Sequence, residues 1–126
     1  MSLPLDLHPS PEAERLIRLI GSARVDLSTE GAAQRGLARI FETEGLSYEA
    51  EVVLSAADRI DFLLGRVGVE VKIGQPRRQI LRQLERYAGS ERLDELLLVS
   101  SAPFPSDGFR AHGKPVFVVS LSTGWI

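Results

Sequence analysis

The sequence predicts an α/β fold in which helices flank a mixed central sheet. Residues 59–73 alternate between apolar and polar positions, which is the period of two half-buried strands. Residues 95–100 and 115–121 are continuous apolar runs, as expected of strands that are covered on both faces. Two amphipathic segments have the spacing of helices: residues 28–45 precede these strands, and residues 75–89 lie between the first two strands and the apolar runs.

The length of the chain predicts a single domain. Its 126 residues can bury one core without disulfides, and they include no cysteine, which also excludes thiolate metal sites. Residues 28–121 form the predicted core, and residues 1–27 form an N-terminal helical extension. The extension contains a short amphipathic helix that begins at Ser10-Pro11 and runs through Ile20. Its apolar side packs either on the core or on a second copy of the chain, so a homodimer stays an open alternative.

No segment of the sequence predicts a membrane location. Every apolar run is shorter than the roughly 18 residues that indicate a spanning helix. The first residues, Met-Ser-Leu-Pro-Leu-Asp, lack the charged-then-apolar pattern of a signal peptide. We therefore expect a cytoplasmic protein without a membrane partner.

The predicted core begins with a helix that Ser28 or Thr29 caps and that ends at Gly45. Its inward positions are Ala33, Leu37, Ile40 and Phe41. Glu30 continues this inward stripe, although an acidic residue in the first turn also suits the helix dipole without any further function. A strand at residues 48–54 follows the helix.

The next two strands are predicted to form a hairpin around Gly65-Arg66. Glycine at the first central position suits a type II′ turn, and a two-residue loop fixes which residues face each other. The facing pairs are then Ile60 with Val71, Asp61 with Glu70, and Phe62 with Val69. A slip by one residue would turn the apolar set of each strand to the wrong face.

The two facing carboxylates are the chemically informative feature of this hairpin. Like charges directly opposite each other destabilise a sheet, so stability alone favours another residue at Asp61 or Glu70. A divalent cation would reverse the sign of that interaction, and carboxylate oxygens suit Mg²⁺ or Mn²⁺. Lys72 lies two residues beyond Glu70 on the same strand face, so its ammonium points to the same place. The alternative is a solvated strand face with an ordinary ion pair between Glu70 and Lys72.

The second core helix is predicted to begin near Gln75-Pro76 and to end near Ala88-Gly89. Residues 66–92 contain seven Arg and Lys against three Glu, a charge of +4, although the whole chain carries −2. Guanidinium groups are preferred partners of phosphate, so this helix is a predicted nucleic-acid-binding surface. Its candidate contacts are Arg77, Arg78, Arg82 and Arg86, and the last three form an i, i+4, i+8 stripe. A solvated helix surface is the alternative interpretation.

Two buried strands complete the predicted core. Residues 103–114, between them, are long enough for a short crossover helix, which would connect parallel strands. The predicted order is therefore helix, three strands, helix, strand, short helix and strand. This order is an αβββαβ core with one additional strand.

Asp61, followed after eight residues by Glu70-Val71-Lys72, resembles the PD-(D/E)XK nuclease superfamily, whose restriction-endonuclease-like core has the order αβββαβ. Ile60 stands where the motif has proline, a position that varies in the superfamily. The segment Gln83-Leu-Glu-Arg-Tyr87 begins eleven residues after Lys72. It is similar to the Gln-hydrophobic-x-x-Tyr motif of the RecB-type branch of the same superfamily. The resemblance covers residues 28–121.

The resemblance implies a Mg²⁺-dependent nuclease, with Mn²⁺ as the other suitable ion, that hydrolyses phosphodiester bonds in DNA. Asp61 and Glu70 would hold the metal, with the carbonyl of Val71 as a third oxygen ligand. Lys72 would position the attacking water or stabilise charge on the phosphoryl group. The cation itself can polarise a phosphodiester and hold a hydroxide close to it.

The resemblance assigns three further residues to the site. Glu30 matches the glutamate that the superfamily often adds from its first core helix, while Gln83 and Tyr87 would contact phosphate near the cleavage point. Because backbone contacts carry no sequence information, we expect selection of ends or branched structures and not of sequences. Two alternatives stay open: a catalytically idle nuclease fold that serves as a DNA-binding or assembly module, and an α/β domain without a nucleic-acid role. The sequence does not distinguish DNA from RNA as the substrate.

Overall fold

The computed structural model describes residues 7–101, 104–105 and 107–121, which form a six-stranded mixed sheet between two layers of helix. The helices are α1 (Pro11–Gly21), α2 (Glu30–Thr43) and α3 (Arg77–Ala88). The strands are β1 (Glu49–Val53), β2 (Arg59–Leu64), β3 (Val67–Lys72), β4 (Glu95–Ser100), β5 (Phe109–Ala111) and β6 (Lys114–Ser120). Their order in the sheet is β1-β2-β3-β4-β6-β5, with β3, β4 and β6 parallel and the other pairs antiparallel. The predicted α/β class and mixed sheet are confirmed.

The two faces of the sheet bury separate apolar clusters. On one face α1 and α2 pack Ile20, Leu37 and Phe41 against Val69 and Val71 of β3 and their neighbours. On the opposite face α3 alone packs Ile80 and Leu84 against β2 and β4. Because β3 and β4 are covered on both sides, all of their residues are buried, including charged ones near the strand ends. None of the described helices combines the length and the apolar composition needed to cross a membrane.

The N-terminal helix belongs to the packed core. Ser10 caps α1 by accepting a hydrogen bond from the Ala13 N–H, and its own N–H and Oγ donate to the Glu95 carboxylate at 2.9 and 2.5 Å. Glu95 begins β4, so these bonds attach the start of the helix to the sheet. The apolar side of α1, with Leu16 and Ile20, is buried in the same cluster as α2. Of the two alternatives for this helix, the structure has the one in which it packs on the core.

The caps of α2 match the predicted boundaries. Thr29 accepts a hydrogen bond from the Ala32 N–H at 3.0 Å, which selects Thr29 over Ser28 as the N-cap. At the other end Gly45 has a φ of 69°, and the Leu46 N–H returns to the Phe41 carbonyl at 2.9 Å. These two ends place Glu30 in the first turn of the helix, next to the sheet.

The β2–β3 hairpin has the predicted turn and register near its tip. Gly65 has a φ of 60° and Arg66 does not have a positive φ, which is the φ pattern of a type II′ turn. The paired residues are Phe62 with Val69, Leu63 with Gly68, and Leu64 with Val67. The backbone ladder between β2 and β3 ends at the Phe62–Val69 pair. The two strands therefore separate at Asp61 and Glu70, on the side away from the turn.

The predicted pairing of Ile60 with Val71 is wrong. Ile60 pairs with Val52 of β1, and its side chain lies in the apolar cluster beneath α3, whereas Val71 lies in the cluster beneath α1 and α2. The strict alternation of β2 is therefore interrupted at Asp61. The physical reason is that the backbone N–H of Asp61 donates to the side chain of Glu70 instead of to a backbone carbonyl of β3.

The predicted crossover helix at residues 103–114 is also wrong in the described part of this segment. Phe109–Ala111 forms β5, an edge strand antiparallel to β6. The hairpin between them turns at His112-Gly113, where φ is 48° and 78°, as in a type I′ turn. Positive φ at these residues and at Gly108 is incompatible with a continuous helix. Residues 103 and 106 of the predicted helix lie outside the described residues.

Candidate active site

Side chains replace the backbone ladder where β2 and β3 separate. The Asp61 N–H donates to Oε1 of Glu70 at 3.0 Å, and the Val71 N–H donates to Oδ2 of Asp61 at 2.8 Å. Each carboxylate therefore binds the backbone of the opposite strand. We call this part of the hairpin, Asp61 with residues 70–72, the open end.

Glu70 is the most enclosed charged group at the open end. Its side chain is 2% exposed, and its Oε2 accepts from the Lys72 ammonium at 3.1 Å and from the Tyr87 hydroxyl at 3.2 Å. Lys72 itself is 9% exposed. An ion pair this buried contributes little net stability, because desolvation of both charges offsets their attraction. Its presence therefore suggests a role other than stability.

Asp61 is held by the first core helix as well as by β3. The Gln34 amide donates to Oδ1 of Asp61 at 2.9 Å, so α2 fixes the second oxygen of this carboxylate. Gln34 lies one turn after Glu30, and that spacing is the signal that places it on the inward side of the helix. No sequence motif predicts a role for it.

Burial raises the pKa values of both carboxyl groups. Burial is the largest cause for Glu70, and the charge of Asp61 adds to it, so the pKa of Glu70 rises from 4.5 to about 7 despite Lys72. Burial likewise raises the pKa of Asp61, although the hydrogen bond from Val71 opposes the change. Burial and the adjacent Glu70 raise the pKa of the Tyr87 hydroxyl, so it remains a donor. When both carboxyl groups are ionised, the one ammonium leaves one negative charge unbalanced at the open end.

Glu30 reaches the same end of β3 but binds other groups. Its Oε2 accepts from the Ile73 N–H at 2.9 Å and from the Gln75 amide at 2.8 Å. This carboxylate therefore holds the backbone just after Lys72, where β3 leads into α3. Over the described part of the chain, no three His, Cys, Asp or Glu side chains lie close enough to hold a metal ion together.

Gln83 and Tyr87 both face the sheet from α3, as their spacing of one helical turn predicted. Tyr87 contacts Glu70 directly. The Oε1 atom of Gln83 is buried and has no hydrogen-bond partner, and it is the only such side-chain atom within the described residues. An unpaired buried polar atom costs on the order of 1–3 kcal/mol. This oxygen is therefore suited to a group that the described chain does not supply.

The four predicted arginines of α3 have different surroundings. Arg86 is paired with Asp58 at 3.0 Å, and the guanidinium of Arg77 lies 5.2 Å from the centre of the Phe104 ring. Arg78 and Arg82 are exposed and form no ion pair or hydrogen bond with any described residue. The latter two are thus free to contact a phosphate, while Arg86 already has an acidic partner. Asp58 had no signal in the sequence, because it belongs to the β1–β2 loop.

Comparison with models of protein families finds no match to this chain, and neither curated proteins nor solved structures match it. A functional interpretation therefore depends on the residues and on their geometry.

Proposed function

We propose that this protein is a Mg²⁺- or Mn²⁺-dependent nuclease of the PD-(D/E)XK type, which hydrolyses phosphodiester bonds in DNA. The observation that carries the proposal is the cluster of Asp61, Glu70 and Lys72 where β2 and β3 separate, in which Glu70 and Lys72 are buried and Asp61 is partly buried. The order α2, β1, β2, β3, α3, β4 agrees with an αβββαβ, restriction-endonuclease-like core.

The donor set at the open end is suited to a hard divalent cation. Asp61 and Glu70 supply carboxylate oxygens, and the carbonyl of Val71, the residue after Glu70, is a third candidate. A cation bound there would polarise the phosphodiester and lower the pKa of a bound water. The raised pKa of Glu70 supports this assignment, because the negative charge of Asp61 contributes to it and a bound cation would offset that charge.

Lys72 would supply positive charge to the substrate. In the structure its ammonium is bonded to Glu70 at 3.1 Å, so its position is set by the same carboxylate that would bind the cation. A buried ammonium beside the reacting phosphate would orient the attacking water or stabilise negative charge on the phosphoryl oxygens. Burial of the stem limits the positions that the ammonium can adopt.

The remaining site residues would position these three groups. Gln34 and Tyr87 bind Asp61 and Glu70 respectively, each from a different helix. Glu30 holds the Ile73 N–H and so fixes the end of β3. Gln83 has a free buried oxygen on the same side of α3 as Tyr87, which suits a ligand water or another donor at the reacting phosphate. These contacts would reduce the reorganisation needed when substrate binds.

Arg78 and Arg82 would contact the nucleic-acid backbone. Both are exposed on α3 without partners among the described residues, and guanidinium binds phosphate oxygens in a bidentate geometry. Arg77 and Arg86 extend the same surface, although Arg86 would have to leave Asp58 first. Contacts of this kind position the substrate without reading its sequence, so we propose selection by structure or by ends.

A cleavage panel tests the proposed function. Linear duplex, single strand, flap and four-way junction DNA, with RNA strands for comparison, are incubated with the protein in Mg²⁺, in Mn²⁺ and in EDTA. We expect at least one substrate to be cut with metal and none with EDTA. If a folded protein that binds nucleic acid cuts none of the substrates, the proposal is contradicted.

A second candidate is a catalytically idle nuclease fold that binds DNA or assists assembly. The observation that favours it is that all four carboxylate oxygens of Asp61 and Glu70 already accept hydrogen bonds from the protein. Such a network can be retained for structure alone. In that case added Mg²⁺ would leave the melting temperature unchanged. A protein with a metal site would instead melt at a higher temperature, because the cation binds the folded state.

A further inference from the structure

Two cavities lie beside α2, and one of them reaches Asp61. The first has a volume of about 220 Å³ and is lined largely by apolar atoms, with Asp61 at its edge. The second has a volume of about 350 Å³ and is lined largely by polar atoms. Arg35 lines both, so a single ligand that fills the two would pass over its side chain.

The first cavity has the chemistry of a site for one nucleobase. Ala38, Ala50 and Phe62 line it, and the Phe62 ring is fixed by edge-on contacts with Phe41 and Tyr48 at centroid distances of 5.2 and 5.8 Å. The volume lies below the 300–1,000 Å³ that drug-sized ligands occupy, which suits a single ring system.

The rim of the first cavity disfavours an anion. Glu51 and Asp61 place carboxylates there and Gln34 places an amide there, all of which can hydrogen-bond to the edge of a base. The same carboxylates would repel a phosphate. A neutral, flat ligand with polar edges fits this combination better than a charged one.

The second cavity has the opposite charge. Arg24, Arg35 and Arg39 line it, and none of the three forms an ion pair or hydrogen bond with another described residue. Asp26 is the acidic residue of the cavity, and its carboxylate already accepts from the Ser28 N–H at 2.9 Å. Three guanidinium groups around one concave surface suit a phosphate. Arg35 and Arg39, one turn apart on α2, are the sequence signal for this site.

We propose that these two cavities bind one unstacked nucleotide next to the scissile phosphate, with its base in the first cavity and its phosphate at Arg24, Arg35 and Arg39. This inference rests on the proposed function and narrows the substrate class. A base that enters a pocket cannot remain stacked and paired in a duplex. The substrate is therefore single-stranded, or it has an unpaired nucleotide at the point of cleavage.

Filling the first cavity tests the base site. Ala38→Leu replaces a methyl group in the cavity by an isobutyl group, and Thr43→Leu places an isobutyl group at an exposed position at the far end of the same helix. Binding of a fluorescent single-stranded oligodeoxynucleotide is measured in EDTA, where no cutting is expected. We expect Ala38→Leu to weaken binding by roughly tenfold, a loss within the range of a single base contact. Thr43→Leu should bind as the wild type does.

A milder variant tests the same site if Ala38→Leu does not fold. Gly31 also lines the first cavity, and an added Cβ would meet only the flexible end of Arg35, at 3.3 Å, and the Thr29 hydroxyl, at 3.9 Å. Alanine favours a helix more than glycine does, so Gly31→Ala should fold. Its affinity should fall in the same direction as that of Ala38→Leu, by a smaller factor.

Charge reversal tests the phosphate site. Arg35→Glu combined with Arg39→Glu should weaken binding and flatten the dependence of log affinity on log salt by roughly 0.7 for each lost contact. Arg15→Glu is the matched control, because Arg15 is an exposed arginine of α1 on the same face of the sheet. An unchanged slope in the double variant would overturn the phosphate site.

An oligonucleotide with one abasic position links the pocket to cleavage. Wild-type protein should cut the bond beside the missing base roughly tenfold less than the other bonds, because that nucleotide cannot fill the cavity. In Ala38→Leu the abasic position should make little difference, since the cavity is already filled. Equal cutting at all bonds by the wild type would contradict the base site.

The outcomes separate the two proposals. If Ala38→Leu is folded and both binds and cuts as Thr43→Leu does, the nucleotide site is wrong and the nuclease proposal stands. If the wild type cuts no substrate and Ala38→Leu still binds the oligonucleotide more weakly than the wild type does, the nuclease proposal is wrong and the nucleotide site stands. If the wild type does not bind the oligonucleotide but cuts a duplex or branched substrate, the nucleotide site is wrong and the nuclease proposal stands.

Discussion

The two ends of the β2–β3 hairpin differ in what joins the strands. At the turn, three residue pairs from Phe62–Val69 to Leu64–Val67 form the antiparallel ladder, and their apolar side chains are buried on both faces. At the open end, the Asp61 and Glu70 side chains accept the backbone hydrogen bonds instead. The turn end follows from apolar alternation and stabilises the fold. The open end buries charge, which is expected where a site serves a function.

Removal of the ammonium at the open end should have the largest effect. Lys72→Met keeps an apolar stem but not the charge, and we expect cleavage to fall at least about 100-fold, as when one electrostatic group is removed from an active site. Arg15→Met, a remote basic residue on α1, is the matched control and should cut normally. Gel-based cleavage and thermal melting of both variants provide the measurement. Undiminished cutting by a folded Lys72→Met protein would remove Lys72 from the site.

The next largest effect should be a pH dependence of the free energy of unfolding, caused by the open end of the hairpin and not by its turn end. Because the folded-state pKa of Glu70 is about 7, above its usual 4.5, the folded state holds the proton more tightly than the unfolded state. The contribution of Glu70 to the free energy of unfolding is complete below about pH 4.5 and is lost as the pH rises through about 7. Its size is about 1.4 kcal/mol for each unit by which the folded-state pKa exceeds the unfolded-state pKa. Denaturant unfolding in EDTA at about pH 5 and about pH 8 measures the change.

Glu70→Gln is the control for this pH dependence. Glutamine does not titrate, so the difference between the two pH values should shrink in the variant. Mg²⁺ should stabilise the wild type more at the higher pH, because the cation binds the ionised carboxylates. If wild type and Glu70→Gln lose stability equally with rising pH, the burial of Glu70 has no part in the effect.

A packing change at the turn end should have an intermediate effect. Gly68 lies beneath Ile60, and a Cβ at this position would approach the Ile60 Cδ1 to 2.5 Å. We expect Gly68→Ala to cost about 2 kcal/mol by overpacking. Gly21→Ala, whose Cβ would meet only Val119 at 3.9 Å, is the control and should cost little. Equal stability of the two variants would contradict the placement of Ile60 over the hairpin.

Substitutions of Asp61 should have the smallest effect on stability. Asp61→Asn keeps an oxygen that can accept from the Val71 N–H, while Asp61→Ala leaves that N–H and the Gln34 amide without their acceptor. We therefore expect Ala to cost about 1 kcal/mol more than Asn in unfolding experiments without metal. Equal stability of Asp61→Ala and Asp61→Asn would show that these hydrogen bonds do not hold the open end together.

Apolar periodicity predicted much of the fold because it reports burial directly. The turn at Gly65 and the caps of α2 follow from local rules. Periodicity did not predict the face of the sheet on which Ile60 lies. That face depends on the hydrogen bond from the Asp61 N–H to the Glu70 side chain, which interrupts the alternation. The strand β5 did not follow either, since a segment of helix-like length instead turns at His112-Gly113.

Site residues were predictable to the extent that they lie on one local element. Glu70 and Lys72 share a strand face, and their contact follows from that spacing. The bond from Gln34 to Asp61 joins α2 to β2, and that between Arg86 and Asp58 joins α3 to a loop. Such pairs depend on how the layers are positioned, which no local pattern specifies. No local pattern predicted the second cavity beside α2, because Arg24 is separated from Arg35 and Arg39 in the sequence.

The central claim is that the open end of the hairpin binds a divalent cation. Titration calorimetry with Mn²⁺ near pH 7, in two buffers with different heats of ionisation, tests it without knowledge of the substrate. We predict one ion per chain and release of part of a proton, because the pKa of Glu70 lies at about 7. Glu70→Gln should lose the proton release and most of the affinity. Absence of Mn²⁺ binding at millimolar concentration by folded wild-type protein would contradict the claim.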